Sequence, residues 1–205
     1  TGNLYFARNR KFQLCFDRGS PAMVPRNTAS YIDSHLLEII ERIYKPCGFS
    51  ISLVTEEAEG AAYGASSFRL NQHQMKFRIA KITPTKIGQF VTLWKRNSAG
   101  VTCPFDYSDL IDIVVISTRY KNLFGQFVFP RKVLIEKGII STETREGKRG
   151  FRVYPPWDKA VNKQALKTQS WQLNYFLMCP EKGRVDHENA QLLYFSGAAP
   201  RKMPS

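Results

Sequence analysis

The 205-residue sequence has no apolar run approaching the ~20 residues that span a bilayer, which excludes a transmembrane helix. It also has little cysteine. Cys15, Cys47, Cys103 and Cys179 are scattered, form no C-x-x-C pair and follow no secretory signal. A disulfide framework needs denser cysteine and an oxidising compartment, so free thiols and a cytoplasmic location are expected. Histidine is equally sparse. His35, His73 and His187 stand apart from each other and from the cysteines, which leaves a zinc site without support. On these grounds no metal and no cofactor are predicted.

The most informative absence is of acid. Residues 60–105 contain no Asp or Glu, yet carry Arg69, Lys76, Arg78, Lys81, Lys86, Lys95 and Arg96. Over the whole chain 30 Lys and Arg face 17 Asp and Glu, a formal net charge of +13. High charge by itself only keeps a protein soluble, but ordinary surfaces intersperse both signs. Segregated positive charge is a footprint of nucleic-acid binders, with an acidic protein or a membrane surface as the competing partners. Further cations follow at Arg131, Lys132, Lys148, Arg149, Arg152 and Lys159. Aromatic residues are interleaved, Trp94 beside Lys95 and Arg96, and Tyr154 and Trp157 beside Arg152. Phosphates favour such clusters through counterion release, and rings among them stack unpaired bases. Blander readings compete at each position. Trp94 alternates with Phe90 and is more simply a core residue, Trp171 is a helix packing residue, and Arg78 a solvated strand residue. Trp157, after two prolines, has the better claim to exposure.

The length fits one domain with a sizeable core. Residues 1–30 show no periodicity and are read as disordered or vector-derived. Asn3-Leu4-Tyr5-Phe6 is similar to part of a protease-cleavage tag, and a native basic arm is the alternative. Residues 31–195 form the domain and residues 196–205 a flexible tail. Ile32, Leu36, Ile39, Ile40 and Ile43 fall at helical spacing, stopped by Pro46 and Gly48. Phe49, Ile51 and Leu53 alternate as a half-buried strand. Glu56, Glu57 and Glu59 make an acidic loop before a strand over residues 63–70. Residues 75–83 read as one strand with Met75, Phe77 and Ile79 on its core face; Lys81 shares their parity. Further strands are predicted over residues 89–95, 111–116, 124–129 and 151–154, the apolar run 111–116 being covered on both faces. A short helix over residues 131–137 opens after Pro130 and closes at Gly138. Residues 141–150 read as an exposed loop, and a last helix over residues 160–176 carries Leu166, Leu173 and Phe176. Leu192, Leu193, Tyr194 and Phe195 are placed to dock.

Several runs carry a family resemblance. Phe77-Arg78-Ile79-Ala80-Lys81-Ile82-Thr83-Pro84-Thr85-Lys86-Ile87-Gly88-Gln89-Phe90-Val91, closing with Trp94-Lys95-Arg96, resembles the central signature of MepB-like proteins. Phe124-Gly125-Gln126-Phe127-Val128-Phe129-Pro130 resembles a second motif. Gly147-Lys148-Arg149-Gly150, Arg152-Val153-Tyr154-Pro155-Pro156-Trp157-Asp158 and Thr168-Gln169-Ser170-Trp171-Gln172 resemble the later ones. The similarity runs in order over residues 31–176. The family is named for a gene beside a multidrug efflux pump and its repressor. The resemblance implies an α/β, restriction-endonuclease-like fold, a mixed β-sheet flanked by helices, and so favours nucleic acid as partner. Fold alone confers no activity.

Nucleases of that fold place an acidic residue on one strand and a carboxylate-x-Lys pair on the next, the carboxylates holding Mg²⁺. Lys81 stands where the Lys belongs, but the position two before it is Ile79. Asp112, Glu57 and Glu59 are the candidate carboxylates; Asp112 equally fits a turn cap or a partner of Arg78, and Glu57 and Glu59 solvated loop charges. The reading is a nucleic-acid-binding protein without efficient catalysis, its partner nucleic acid and not membrane. Arg78, Lys81, Lys86, Lys95, Arg96 and Arg152 would contact phosphates and Trp157 would stack a base. The alternatives are a Mg²⁺-dependent nuclease using Asp112, Lys81 and Glu57 or Glu59, and a regulator that binds an acidic protein.

Overall fold

The stripe of Leu36, Ile39, Ile40 and Ile43 winds into α1 (Ser34–Ile39), prolonged by a π-helical turn over Ile40–Tyr44. Asp33 caps it, its carboxylate accepting the His35 N–H at 2.8 Å. The computed structural model describes residues 33–180 and 183–196. Readings of residues 1–30 and of the tail beyond Ser196 therefore lie outside the described residues. After Gly48, whose φ of +73° suits glycine, β1 (Ile51–Glu56), β2 (Ser66–Leu70) and β3 (His73–Ile79) form an antiparallel meander. A 3₁₀ segment, Ala58–Tyr63, joins the first two. The chain then leaves this sheet as β4 (Lys81–Thr83), β5 (Lys86–Thr92), β6 (Trp94–Arg96) and β7 (Thr102–Pro104). It returns as β8 (Ile113–Tyr120), parallel to β3, and reverses into β9 (Leu123–Pro130). Next come α2 (Arg131–Glu136), β10 (Gly150–Val153) and α3 (Lys163–Gln172). A 3₁₀ turn, Leu173–Tyr175, leads to β11 (Phe176–Met178), and α4 (His187–Gln191) with a π turn over Leu192–Ser196 follows.

The fold is thus mixed α/β. A six-stranded mixed sheet runs β1-β2-β3-β8-β9-β11 with helices against it, beside a three-stranded sheet β10-β5-β4 and a ribbon β6-β7. β8 explains the arrangement. Its residues from Ile113 to Thr118 are all buried, as the apolar run predicts. Ile113 and Val115 pack with Leu36, Ile43 and Tyr44 on one side. Val114 and Ile116 pack with Val91 and Val153 of the small sheet, and with Leu93 just beyond β5, on the other. Each such side chain contributes about 1.5–3 kcal/mol of burial, so the small sheet is fixed to the large one through its inner face. Among the described residues no helix is long and apolar enough to cross a membrane.

Four local readings need correction. Residues 75–83 are not one strand, because the chain steps between sheets at Ala80. Parity is lost there, and Lys81 lies exposed on β4 rather than at the core face. The Phe49-Ile51-Leu53 alternation breaks at a bulge between Ser52 and Thr55. Leu53 takes φ +54° and faces solvent while Val54 enters the core. The acidic loop is structured, with Glu56 ending β1 and Glu57 preceding the 3₁₀ segment. The last helix stops at Gln172, so Leu166 is exposed and Phe176 sits on β11. Leu193 and Tyr194 dock, as predicted.

Candidate functional site

In the small sheet, Lys81 on β4 and Arg152 on β10 both stand opposite Phe90 on β5. Residues paired across strands share a face, so these three project together from the outer side. Val91, Phe151 and Val153, one position along, fill the core behind them. The Arg152 guanidinium lies over the Phe90 ring at 5.8 Å. It also donates to the Gly88 carbonyl at 2.9 Å and to Thr83 Oγ1 at 2.7 Å, stapling the β4–β5 hairpin. Lys81 extends over Tyr63, its ammonium 4.9 Å from the ring centre. Gly88, at φ +84°, is required: a Cβ there would stand 2.6 Å from the Tyr154 ring, which lies against this strand.

β10 is an edge strand, and α3 closes its edge with a side chain. Gln172, fully buried, donates from Nε2 to the Arg152 carbonyl and accepts the Tyr154 N–H at Oε1, both at 2.9 Å. The amide takes the place of a neighbouring strand, satisfying backbone groups that would otherwise be buried unpaired. Gln169 Nε2 adds bonds to the carbonyls of Pro155 and Asp158 at 3.0 and 2.7 Å.

Between α3, β10 and the hairpin tip opens a groove of about 700 Å³. Lys86, Lys137, Lys148 and Arg152 line it, and no Asp or Glu does. Among the described residues none of these four pairs with a carboxylate. Tyr154 and Trp171 supply aromatic wall, the Lys137 ammonium lying 5.4 Å from the Trp171 ring. A second concavity of about 280 Å³, lined by Phe90, Trp94 and Arg149, meets the first at Gly150. Trp94, read as core, is half-exposed there with Arg96 at 5.5 Å from its ring. The core position belongs to its neighbour Leu93.

Other predicted contacts are engaged elsewhere. Arg78 is not solvated but 2% exposed, bonded to Glu57 at 2.5 Å and to the Phe77 carbonyl at 2.8 Å. Lys76 binds the other oxygen of Glu57. Burial alone would raise the Glu57 carboxyl, but Arg78 and Lys76 outweigh it and hold it below its ordinary value. Glu57 is therefore a structural counter-ion and not a solvated loop charge. Lys95 bonds Asp106 at 2.6 Å and Asp109 at 2.7 Å. The bond from Lys95, helped by Ser108, lowers Asp106 to about 2. Trp157, predicted to stack a base, packs on Phe176 at 5.6 Å with its indole N–H buried.

The candidate catalytic residues do not converge. Asp112 is exposed and accepts the Gln74 N–H at 2.8 Å, at the start of β3. Lys81 lies beyond the end of that strand, on the order of 20 Å away at the ordinary strand rise. Asp112 is thus neither a turn cap nor the partner of Arg78, but holds the start of β3 across the chain. Glu59 stands 3.9 Å from Arg96. Among the described residues no three His, Cys, Asp or Glu are grouped to hold a metal ion. These carboxylates do not fit a Mg²⁺ site of the nuclease kind. Lys137 and Lys148 were outside the predicted site because they belong to a helix end and a loop that show no periodic pattern. Their Lys-Gly and Gly-Lys settings were the available signal.

A model of the MepB-like family matches residues 57–178, which include Glu57, the small sheet, the groove and α3. Among solved structures, the crystal structure of MepB is similar over 64% of this chain and 89% of its own. Its identity to this chain is 39% and the TM-score 0.62. No curated protein matches the chain.

Proposed function

The chain belongs to the MepB-like family, and we propose that it binds nucleic acid along the outer face of its small sheet, without efficient catalysis. The observation that carries this reading is the groove, in which Lys86, Lys137, Lys148 and Arg152 stand among aromatic rings with no acid in the wall, while Arg149 in the adjoining concavity is shared with Glu146 at 3.4 Å. Lys81 extends the same positive surface, as does Arg96, partly offset by Glu59. Phosphates bind there by releasing condensed counterions, and Phe90 and Trp94 offer rings against which bases stack. Arg78, Lys95 and Trp157 are not part of the contact surface. In this reading the mixed sheet is kin to the restriction-endonuclease fold with its site lost, because Ile79 and Lys81 fall on different sheets and form no carboxylate-x-Lys pair. The free thiols of Cys47, Cys103 and Cys179 agree with a cytoplasmic setting.

Fluorescence anisotropy with defined DNA and RNA oligonucleotides at low salt tests the reading, with a Mg²⁺ cleavage assay beside it. Binding without cleavage is the expected result, and failure of every oligonucleotide to bind overturns it. A second reading, an acidic protein partner, is favoured by Ile82, Ile87 and Val161, which are exposed at the hairpin tip and across the groove. It gains ground only if oligonucleotides fail. Heparin competition would not separate the two, because both partners are polyanions.

A further inference from the structure

We infer that the groove between β10 and α3 is a site for a single nucleotide group bearing more than one phosphate charge, anchored by Lys86, Lys137, Lys148 and Arg152. The four cations come from separate places: the β5 start, the end of α2, the loop before β10, and β10 itself. Fold construction does not require them to converge. Their mutual repulsion opposes the folded state, and an anion relieves it. One phosphate carries about −2 at most, less than these cations neutralise, so the matching ligand is a di- or triphosphate or a phosphorylated strand end.

The remaining wall selects a nucleoside rather than a bare anion. Tyr154 and Trp171 present ring surface, and Ile87 and Val161 add apolar contact. Asn162 caps α3 with its side-chain oxygen, accepting the Ala165 N–H at 2.8 Å, which leaves its amide hydrogens for a ligand. A volume of about 700 Å³ lies within the ~300–1,000 Å³ of small-molecule sites. The three lysines are exposed, so their removal leaves the fold intact.

The inference rests on the nucleic-acid reading only for one source of the ligand, a strand end, the other being a free nucleoside triphosphate. The test is calorimetry on the full chain with ATP, inorganic tripolyphosphate, and an oligonucleotide with and without a 5′-phosphate. Lys137→Ala, Lys148→Ala, Lys81→Ala and Lys132→Ala are compared with the unaltered protein. Lys81→Ala reports on the oligonucleotide surface, and Lys132→Ala, exposed and outside both concavities, is the control that leaves nucleotide binding unchanged. Binding of ATP in preference to tripolyphosphate, weakened about tenfold by either groove substitution, supports a free-nucleotide site. A preference for the 5′-phosphorylated oligonucleotide that disappears in Lys148→Ala supports a strand-end site. Equal binding of ATP and tripolyphosphate overturns the nucleoside assignment. If ATP does not bind and the 5′-phosphate confers no preference, the site itself is overturned. In that case oligonucleotide binding that still depends on Lys81 leaves the proposed function standing.

Discussion

Arg78 and Lys81 are near neighbours in one acid-free stretch, yet the two sheets treat them in opposite ways. On the large sheet, Arg78 and Lys76 close on Glu57 under the protein surface. On the small sheet, Lys81 and Lys86 face solvent with no carboxylate partner among the described residues. The cause is burial. A cation between packed layers must have an anion, since an uncompensated buried charge costs several kcal/mol. An edge sheet with one wet face imposes no such condition. Positive charge counted along the chain therefore separates into structural and available parts, and only the second can recruit a partner.

Breaking the structural part should give the largest effect. Glu57→Gln leaves Arg78 buried without its counter-ion and should cost about 3–5 kcal/mol, lowering Tm by roughly 10 °C. Oligonucleotide affinity of the folded fraction should not change. The contribution also has a pH signature. The folded Glu57 value lies below the unfolded 4.5, so the stabilisation is complete above about pH 4.5 and lost as pH falls through the folded value. Thermal melts of the two proteins should converge in acid; a gap that persists there would mean that Glu57 acts in another way. Gln172→Leu comes next. It strands the Arg152 carbonyl and Tyr154 N–H, each worth about 1–3 kcal/mol when buried unpaired. It should also loosen the groove, read as faster hydrogen exchange in β10. Lys81→Met is the smallest perturbation, with stability within ~0.5 kcal/mol and a salt slope of oligonucleotide binding reduced by about one unit. A large loss of stability with normal binding would place Lys81 in the structural class.

What was legible in the sequence follows from pattern length. The β8 run was clear because both its faces are covered, and α2 because Pro130 and Gly138 bracket it. Single-residue events were not. The step at Ala80 and the bulge at Leu53 each reverse side-chain parity, which placed Lys81 and Leu53 on the wrong face. Glu57 resembled a loop charge because its partners lie on β3, well along the chain. The positive surface was visible as missing acid, but the groove was not. Lys137 and Lys148 come to Arg152 through the turn after α2 and the loop before β10, and the far wall forms only because Gln172, which looks like an ordinary polar helix residue, fixes α3 to the edge of β10.

The division between structural and available cations is tested most directly by the salt dependence of oligonucleotide binding in two multiple variants. If four to six phosphates are neutralised, log K against log salt should fall with a slope of about −3 to −5 in the unaltered protein. Replacing Lys81, Lys86, Lys137 and Lys148 together by Ala should bring the slope to about −1. Replacing Lys76 and Lys95, the engaged lysines, should leave it unchanged. Equal slopes in the two variants, or no binding by the unaltered protein at low salt, would contradict the assignment.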